Sequence, residues 1–409
     1  MPDQADASPQ VQTRSALTGN VLVSGLVSFF TDISSEMIVP VLPLFVTAVL
    51  GASMTAVGLI EGVAESTASV MRSFAGLLSD RFGRRKALIV FGYSLSNVTK
   101  PLLALTGSWG QVLAIRFGDR LGKGIRGAPR DALIADSVAA ERRGLAFGFH
   151  RSLDTAGAAL GPLIAFGTLA IMPENYRAVF WIATIPGALA ILIAGVFLRD
   201  LRRPAAPRAI RTVRIGGLGR RFAVFTAIIT LFALGNSSDA FLILRAKNLG
   251  LPVATIPLIY FAFNVVYAVL SIPAGALSDR LGRRGVLIVG YVVFAIVYLG
   301  FAVASGPAGR WIVLPLFLTY GIYYALTEGV QRAFVVDLVP ADLRATALGT
   351  FASATGLALL PASLVAGFLW DRIGPAAPFY FGAVMSAAAA VLLMIVDAGS
   401  KAALEMRQT

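Results

Sequence analysis

The chain has 409 residues, 57% of them hydrophobic and 14% charged, with no cysteine and a net charge of +13. Soluble domains are about 25% charged, and a soluble fold leaves too much surface in water to hide this much apolar side chain. A soluble domain, a disordered chain and a disulfide-stapled scaffold are therefore excluded, and an all-α membrane protein remains.

A membrane helix takes about 20 residues, so the chain has room for about twelve with short loops. Residues 1–18 are polar, hold Pro2 and Pro9, lack the pattern of a secretory signal and read as a disordered cytoplasmic tail. Spans follow at 19–48, 54–79, 86–106, 110–137, 145–171 and 178–199, which make an N-terminal six-helix bundle over 19–199. Residues 200–221 are Arg-rich, carry Pro204, Pro207, Gly216, Gly217 and Gly219, and read as a basic cytoplasmic linker. Spans at 222–247, 253–278, 285–305, 311–336, 345–370 and 376–396 form a C-terminal bundle over 222–396, with a tail at 397–409.

Alternate loops differ in charge. One set holds Arg81, Arg84, Arg85, Lys86, Arg142, Arg143, the linker arginines, Arg280, Arg283, Arg284 and Arg344. The other holds only Arg177, Arg245, Lys247, Arg310 and Arg372. The positive-inside rule puts the first set, and both termini, in the cytoplasm. Positive charge that sits in loops between apolar spans speaks for topology and not for nucleic acid.

The halves repeat. Gly76-Leu-Leu-Ser-Asp80-Arg81-Phe-Gly83-Arg84-Arg85 returns as Gly275-Ala-Leu-Ser-Asp279-Arg280-Leu-Gly282-Arg283-Arg284, Asp136 and Arg143 return as Asp337 and Arg344, and Ser34-Ser35-Glu36 is echoed by Ser237-Ser238-Asp239. Duplicated bundles with a midplane site are the architecture of many secondary transporters.

At these residues the chain resembles the major facilitator superfamily. The G-x-L-x-D-R-x-G-R-R loop at Gly76–Arg85 and its weaker second copy carry the likeness, which spans nearly the whole chain. The resemblance implies twelve transmembrane helices in two pseudo-symmetric six-helix bundles. It also implies that Asp80 braces one conformation; the second copy reads as a topology signal. Pro40 and Pro43 resemble a proline motif of proton-coupled drug exporters. Arg120-Leu-Gly-Lys123-Gly resembles the R-x-x-Q-G coupling motif, with Lys123 in place of Gln. Gly157-Ala-Ala-Leu-Gly161-Pro162 resembles the antiporter motif, with Ala165 and Phe166 in place of its closing glycine pair; small residues at this spacing also simply pack membrane helices.

Ionisable groups inside a membrane are costly and are functional candidates by default. Asp32 and Glu36 share one face of span one, and Glu61 and Glu65 share one face of span two. Arg116, Arg120, Lys123 and Arg130 form a basic stripe about 21 Å long on span four. Four acids facing that stripe are expected to pair with it across the bundle. Arg72, Arg130, Asp131 and Arg151 read as structural charges near the cytoplasmic ends, whereas Asp32, Glu36 and Arg120 form the expected coupling centre, with Glu61, Glu65 and Lys123 beside it. The C-terminal half offers Asn236, Asp239, Asn264, Tyr320, Tyr324 and Glu328, and Glu328 should pair with Arg332 one turn on.

The expectation is a secondary active transporter of a small organic solute, driven by protons, with export by antiport ahead of uptake. The basic stripe favours an anionic group, which leaves transport of an anion or metal chelate as an alternative. A transporter-like receptor or scaffold is the rival outside the class. No catalytic motif indicates an enzyme. His150 is the single histidine and no His/Cys cluster accompanies it, so no metal site and no cofactor are expected beyond the proton gradient. The expected partners are solute, protons and lipid, in a monomer of the bacterial plasma (inner) membrane.

Overall fold

The computed structural model describes residues 19–82, 85–139, 142–200, 217–340 and 343–405 and, apart from 73, 75–82, 307, 308, 345 and 397–405, their side chains. Regular structure among the described residues is helical throughout. The first half contains α1 (Gly19–Ile38), α2 (Leu42–Ala48), α3 (Met54–Phe82), α4 (Arg85–Ala104), α5 (Trp109–Asp136), α6 (Arg143–Ile171) and α7 (Tyr176–Phe197). The second contains α8 (Gly219–Gly235), α9 (Ala240–Asn248), α10 (Ile256–Leu281), α11 (Arg283–Val303), α12 (Gly306–Asp337), α13 (Arg344–Arg372) and α14 (Ala377–Glu405).

These helices cross the membrane as twelve rods, because α1–α2 and α8–α9 are each one span broken in the middle. Sequence reading gives both spans as continuous. Pro40 sits in the turn between α1 and α2, where the missing N–H and the ring end the helix, and Pro43 restarts it in the first turn of α2. The α8–α9 break falls on Asn236, Ser237, Ser238 and Asp239, side chains that compete with helical hydrogen bonds; Ser238 Oγ accepts from the Ala240 N–H at 3.3 Å. Among the described residues, nine rods are long and apolar enough to cross a bilayer by length and composition. The remaining three, α3, α4 and α5, are the rods that carry the polar and charged interior of the first half. The last helix runs to Glu405, past the expected end of the span at 396.

Each bundle packs by the same rule. In the first half α1 lies on α6 and α7, α5 lies on α3 and α4, and α4 lies on α7; in the second α8 lies on α13 and α14, α12 lies on α10 and α11, and α11 lies on α14. The halves meet through two exchanged pairs, α3 with α13 and α6 with α10. The α3–α13 seam is close: a Cβ on Gly58 would stand 2.1 Å from Ser363 O, and one on Gly367 would stand 2.3 Å from Met54 O. At its end Asp371 of α13 accepts the Met54 and Thr55 N–H groups at 3.0 and 2.8 Å and the Thr55 hydroxyl at 2.6 Å. A carboxylate from one bundle thus caps the first turn of a helix in the other.

The interiors differ. The second half is filled with rings: Phe232 stacks on Tyr291, Phe294 on Tyr298, and Tyr320 on both Phe263 and Tyr323. The first half buries charge instead. At the end with few basic residues, Arg177 donates to Ala104 O and Thr106 O, and Arg245 donates to Phe301 O and Ala304 O. These two arginines cap helix C-termini, which explains charge on the side that the loop asymmetry leaves nearly empty.

Candidate transport site

Helix α5 holds a buried ion network. Arg116 reaches Glu61 on α3 and Asp119 one turn on, each at 3.3 Å. Arg120 reaches Glu65 at 3.0 Å and lies 3.8 Å from Asp119, which also accepts from the Ser96 hydroxyl of α4. Lys100 on α4 donates to Asn97 Oδ1 at 2.5 Å and is buried. Arg126 covers the Tyr93 ring at 4.4 Å. The glycines of α5 permit this: Gly122 and Gly124 lie against Gly92 and Met71, so α5 sits close to both neighbours.

Two expectations change here. The stripe does not pair with all four acids: Glu61 and Glu65 take Arg116 and Arg120, while Asp32 and Glu36 have no ion partner among the described residues. Arg120 is therefore not in direct contact with the acidic pair. Asp32 faces Asp154 of α6 and Lys123, and Glu36 faces Lys123 and Arg120. Nor is the stripe an open anion surface, since acids neutralise its arginines. Lys123 alone stays exposed without an ion partner among the described residues. Helix α6 backs the acidic pair, because Gly157 meets Phe29 O and Gly161 meets Ile33 O and Glu36 Cβ; Pro162 is buried beside them. These three residues have a plain packing role.

In the second half Asp239, at the α8–α9 break, accepts from Tyr320 OH at 2.8 Å and stands 3.5 Å from Tyr324 OH, while facing Glu65 and Glu36 across the bundles. Asn236 donates to Tyr323 OH at 3.3 Å, and Asn264 Nδ2 is buried without a hydrogen-bond partner among the described residues. Glu328 pairs with Arg332 at 2.8 Å, as their spacing requires, and also accepts from Tyr267, which sequence reading passed over.

Between the halves a cavity of about 410 Å3 reaches toward the basic end of the molecule. Its walls include Arg130, His150, Arg151 and Asp154 from the first half and Tyr267 and Arg332 from the second. Asp154 accepts from Ser28 at 2.7 Å and from Arg151 at 3.1 Å. Arg130 pairs with Asp131 at 2.9 Å. A smaller void of about 20 Å3 touches Glu36, Lys100, Arg116, Asp119, Arg120 and Lys123.

Of the loop motif, Gly76, Asp80, Arg81, Gly83 and Arg84 lie outside the described side chains or residues. Arg85 bonds Asp136 and donates to Ala132 O at 3.0 Å. In the second copy Arg283 bonds Asp337 and reaches Asp279 at 3.0 Å, and Gly282 takes a φ of +89° at the turn. Arg280 follows on the last turn of α10.

A family model described as the Major Facilitator Superfamily matches residues 25–244 and again 222–407. The chain belongs to the Major Facilitator Superfamily. It is 39% identical over 386 residues to an MFS-type transporter of Methanocaldococcus jannaschii, covering 93% of this chain and 95% of that one. It is 28% identical over 348 residues to a probable 4-methylmuconolactone transporter of Cupriavidus pinatubonensis, covering 80% and 78%. Among solved structures it shares its fold with a nucleoside transporter at a TM-score of 0.76 and 14% identity, covering 92% of this chain and 98% of that one. The superfamily member described here is a multi-pass membrane transporter of small-molecule solutes.

Proposed function

We propose that the chain exports a small organic solute in exchange for protons, by alternating access, across the plasma membrane of a bacterium with both termini in the cytoplasm. The observation that carries this is the contrast on the wall of the first bundle. Arg116 and Arg120 are consumed by Glu61, Glu65 and Asp119, while Asp32 and Glu36 are left without an ion partner among the described residues. A carboxyl group not held in an ion pair inside a membrane protein can exchange a proton when its hydration changes. Opening the site first to one side and then to the other changes that hydration, so a proton gradient can bias the cycle.

The break at Pro40, just beyond Glu36, supports the reading, because irregular backbone at membrane depth lines a cavity. The likeness to a protein named as a probable 4-methylmuconolactone transporter supports a small organic solute. Reconstitution in liposomes with an imposed pH gradient tests the proposal. Uphill movement of solute against the proton flow is expected. Asp32→Asn and Glu36→Gln should each abolish uphill transport while leaving counterflow exchange at a measurable fraction of wild type. Uphill transport at normal rate in both variants would place coupling elsewhere, with Glu61 and Glu65 next to be tried. Solute moving with the protons would reverse the direction and make the chain an uptake system.

A further inference from the structure

The cavity between the halves presents guanidinium groups from both bundles; two of its acids, Asp154 and Glu328, are less exposed than the arginines they pair with, while Asp131 is 53% exposed against 21% for Arg130. The Arg151 side chain is 65% exposed and its partner Asp154 22%; Arg332 is 61% exposed and its partner Glu328 35%. Arg151 spends one terminal nitrogen on Asp154, and Arg332 spends one on Glu328, so each keeps N–H groups free. Arg130 stands behind them, held by Asp131 and by Ser28 at 3.4 Å. His150 lines the same wall, 95% buried by its 5% exposure, with no hydrogen-bond partner for Nε2 among the described residues.

From this arrangement we infer a binding site for a solute with two or three carboxylate groups, held between Arg151 of the first bundle and Arg332 of the second, with His150 at its base. The inference rests on the export reading and names the chemistry of its solute. The volume of about 410 Å3 lies within the range of about 300–1,000 Å3 usual for small-molecule sites. A ligand cation would find each acid already engaged: Asp154 by Arg151, Asp131 by Arg130, and Glu328 by both Arg332 and Tyr267. A carboxylate meets the outer edges of planar forks that can hold a second anion bidentately. Because the two arginines belong to opposite bundles, such a ligand bridges the halves and favours the state in which they approach. The stripe at Arg116 and Arg120 does not provide this chemistry, since both arginine side chains are buried and their charge is neutralised by Glu61, Glu65 and Asp119.

The test is calorimetric titration of the purified full-length protein, without a pH gradient, using citrate, tricarballylate and succinate as probes and acetate and tetraphenylphosphonium as controls. At least one polycarboxylate should bind, tetraphenylphosphonium should not displace it, and acetate should bind far more weakly. Arg332→Gln and Arg151→Gln should each weaken binding about tenfold or more. Arg332→Lys should also weaken it, because an ammonium lacks the fork. Both arginines are exposed, and an unchanged melting transition certifies that each variant is folded. No polycarboxylate binding by folded wild type, wild-type affinity in both Gln variants, or displacement by tetraphenylphosphonium would each overturn the site. Uphill, proton-driven transport of some other solute would then leave the export reading standing, so the two failures are distinguishable.

Discussion

Arg116 shows what a single residue has to do in this bundle. It satisfies Glu61 and Asp119 at once, with its side chain 7% exposed. Removing one partner from a buried ion network costs about 3–5 kcal/mol, because the remaining charge is stranded, whereas replacing the whole group with apolar side chains can be neutral. Arg116→Leu is therefore expected to lower the melting temperature in detergent sharply, and Arg116→Leu combined with Glu61→Leu to recover part of the loss. A double variant no better than the single one would show that Asp119 alone sets the cost. Arg120→Lys should be destabilising for a related reason, since one ammonium cannot serve Glu65 with the same geometry. Spacing made the charges legible, because Asp32/Glu36, Glu61/Glu65 and Glu328/Arg332 are i,i+4 pairs. It could not show which acid meets which base. That choice is made by helix rotation and by glycines such as Gly122, which set how close α5 comes to α4.

At the scale of elements the informative features are the broken spans and the α3–α13 seam. Hydropathy runs unbroken through Pro40 and through Asn236–Asp239, since one proline or four small polar residues barely change a window of about 20 residues. The breaks are decided by backbone hydrogen bonding, which a hydropathy window does not measure. Asp371 was likewise silent in the sequence, because a cap contributed from the other bundle has no local signature. The seam makes a sharp prediction. Gly367→Leu places a branched side chain where Met54 O lies 2.3 Å from a bare Cβ, so the Asp371 end cannot close. Transport should fall to background in a protein that still folds. A cysteine placed at Ser53, beside the seam, should label faster with an impermeant reagent in the variant than in an otherwise unaltered chain. Normal transport by Gly367→Leu would mean that the seam is free to part by a side-chain width without consequence.

For the whole molecule, the two-bundle plan was legible because it is written twice. The repeated loop motif, the echo of Ser34-Ser35-Glu36 in Ser237-Ser238-Asp239, and the matched packing of α1 on α6 and α8 on α13 are one pattern seen at two levels. The contrast between a charged first half and an aromatic second half was legible in outline, but the cavity between them was not, because its walls come from four helices far apart in the chain. The charge asymmetry of the loops predicts the sidedness. Cysteines introduced at Ile210 and at Gly107, one at a time in this cysteine-free chain, should respond oppositely to an impermeant label added to intact cells. Position 107 should react and position 210 should not; the reverse would invert the topology.

The polarity of α3, α4 and α5 bears on how the protein is made. Glu61 and Glu65 leave the ribosome 55 residues ahead of Arg116 and Arg120, the groups that neutralise them. Each ionised side chain left at the bilayer centre costs about 2.5–3.5 kcal/mol on translocon scales. These segments therefore gain little from entering lipid one at a time. They are expected to wait beside the translocon, sheltered from lipid, until α5 has been synthesised, and to move out together as a neutralised hairpin set. The ion network that equips the mature wall is thus also a timing constraint on biogenesis, imposed by the order in which acid and base are translated.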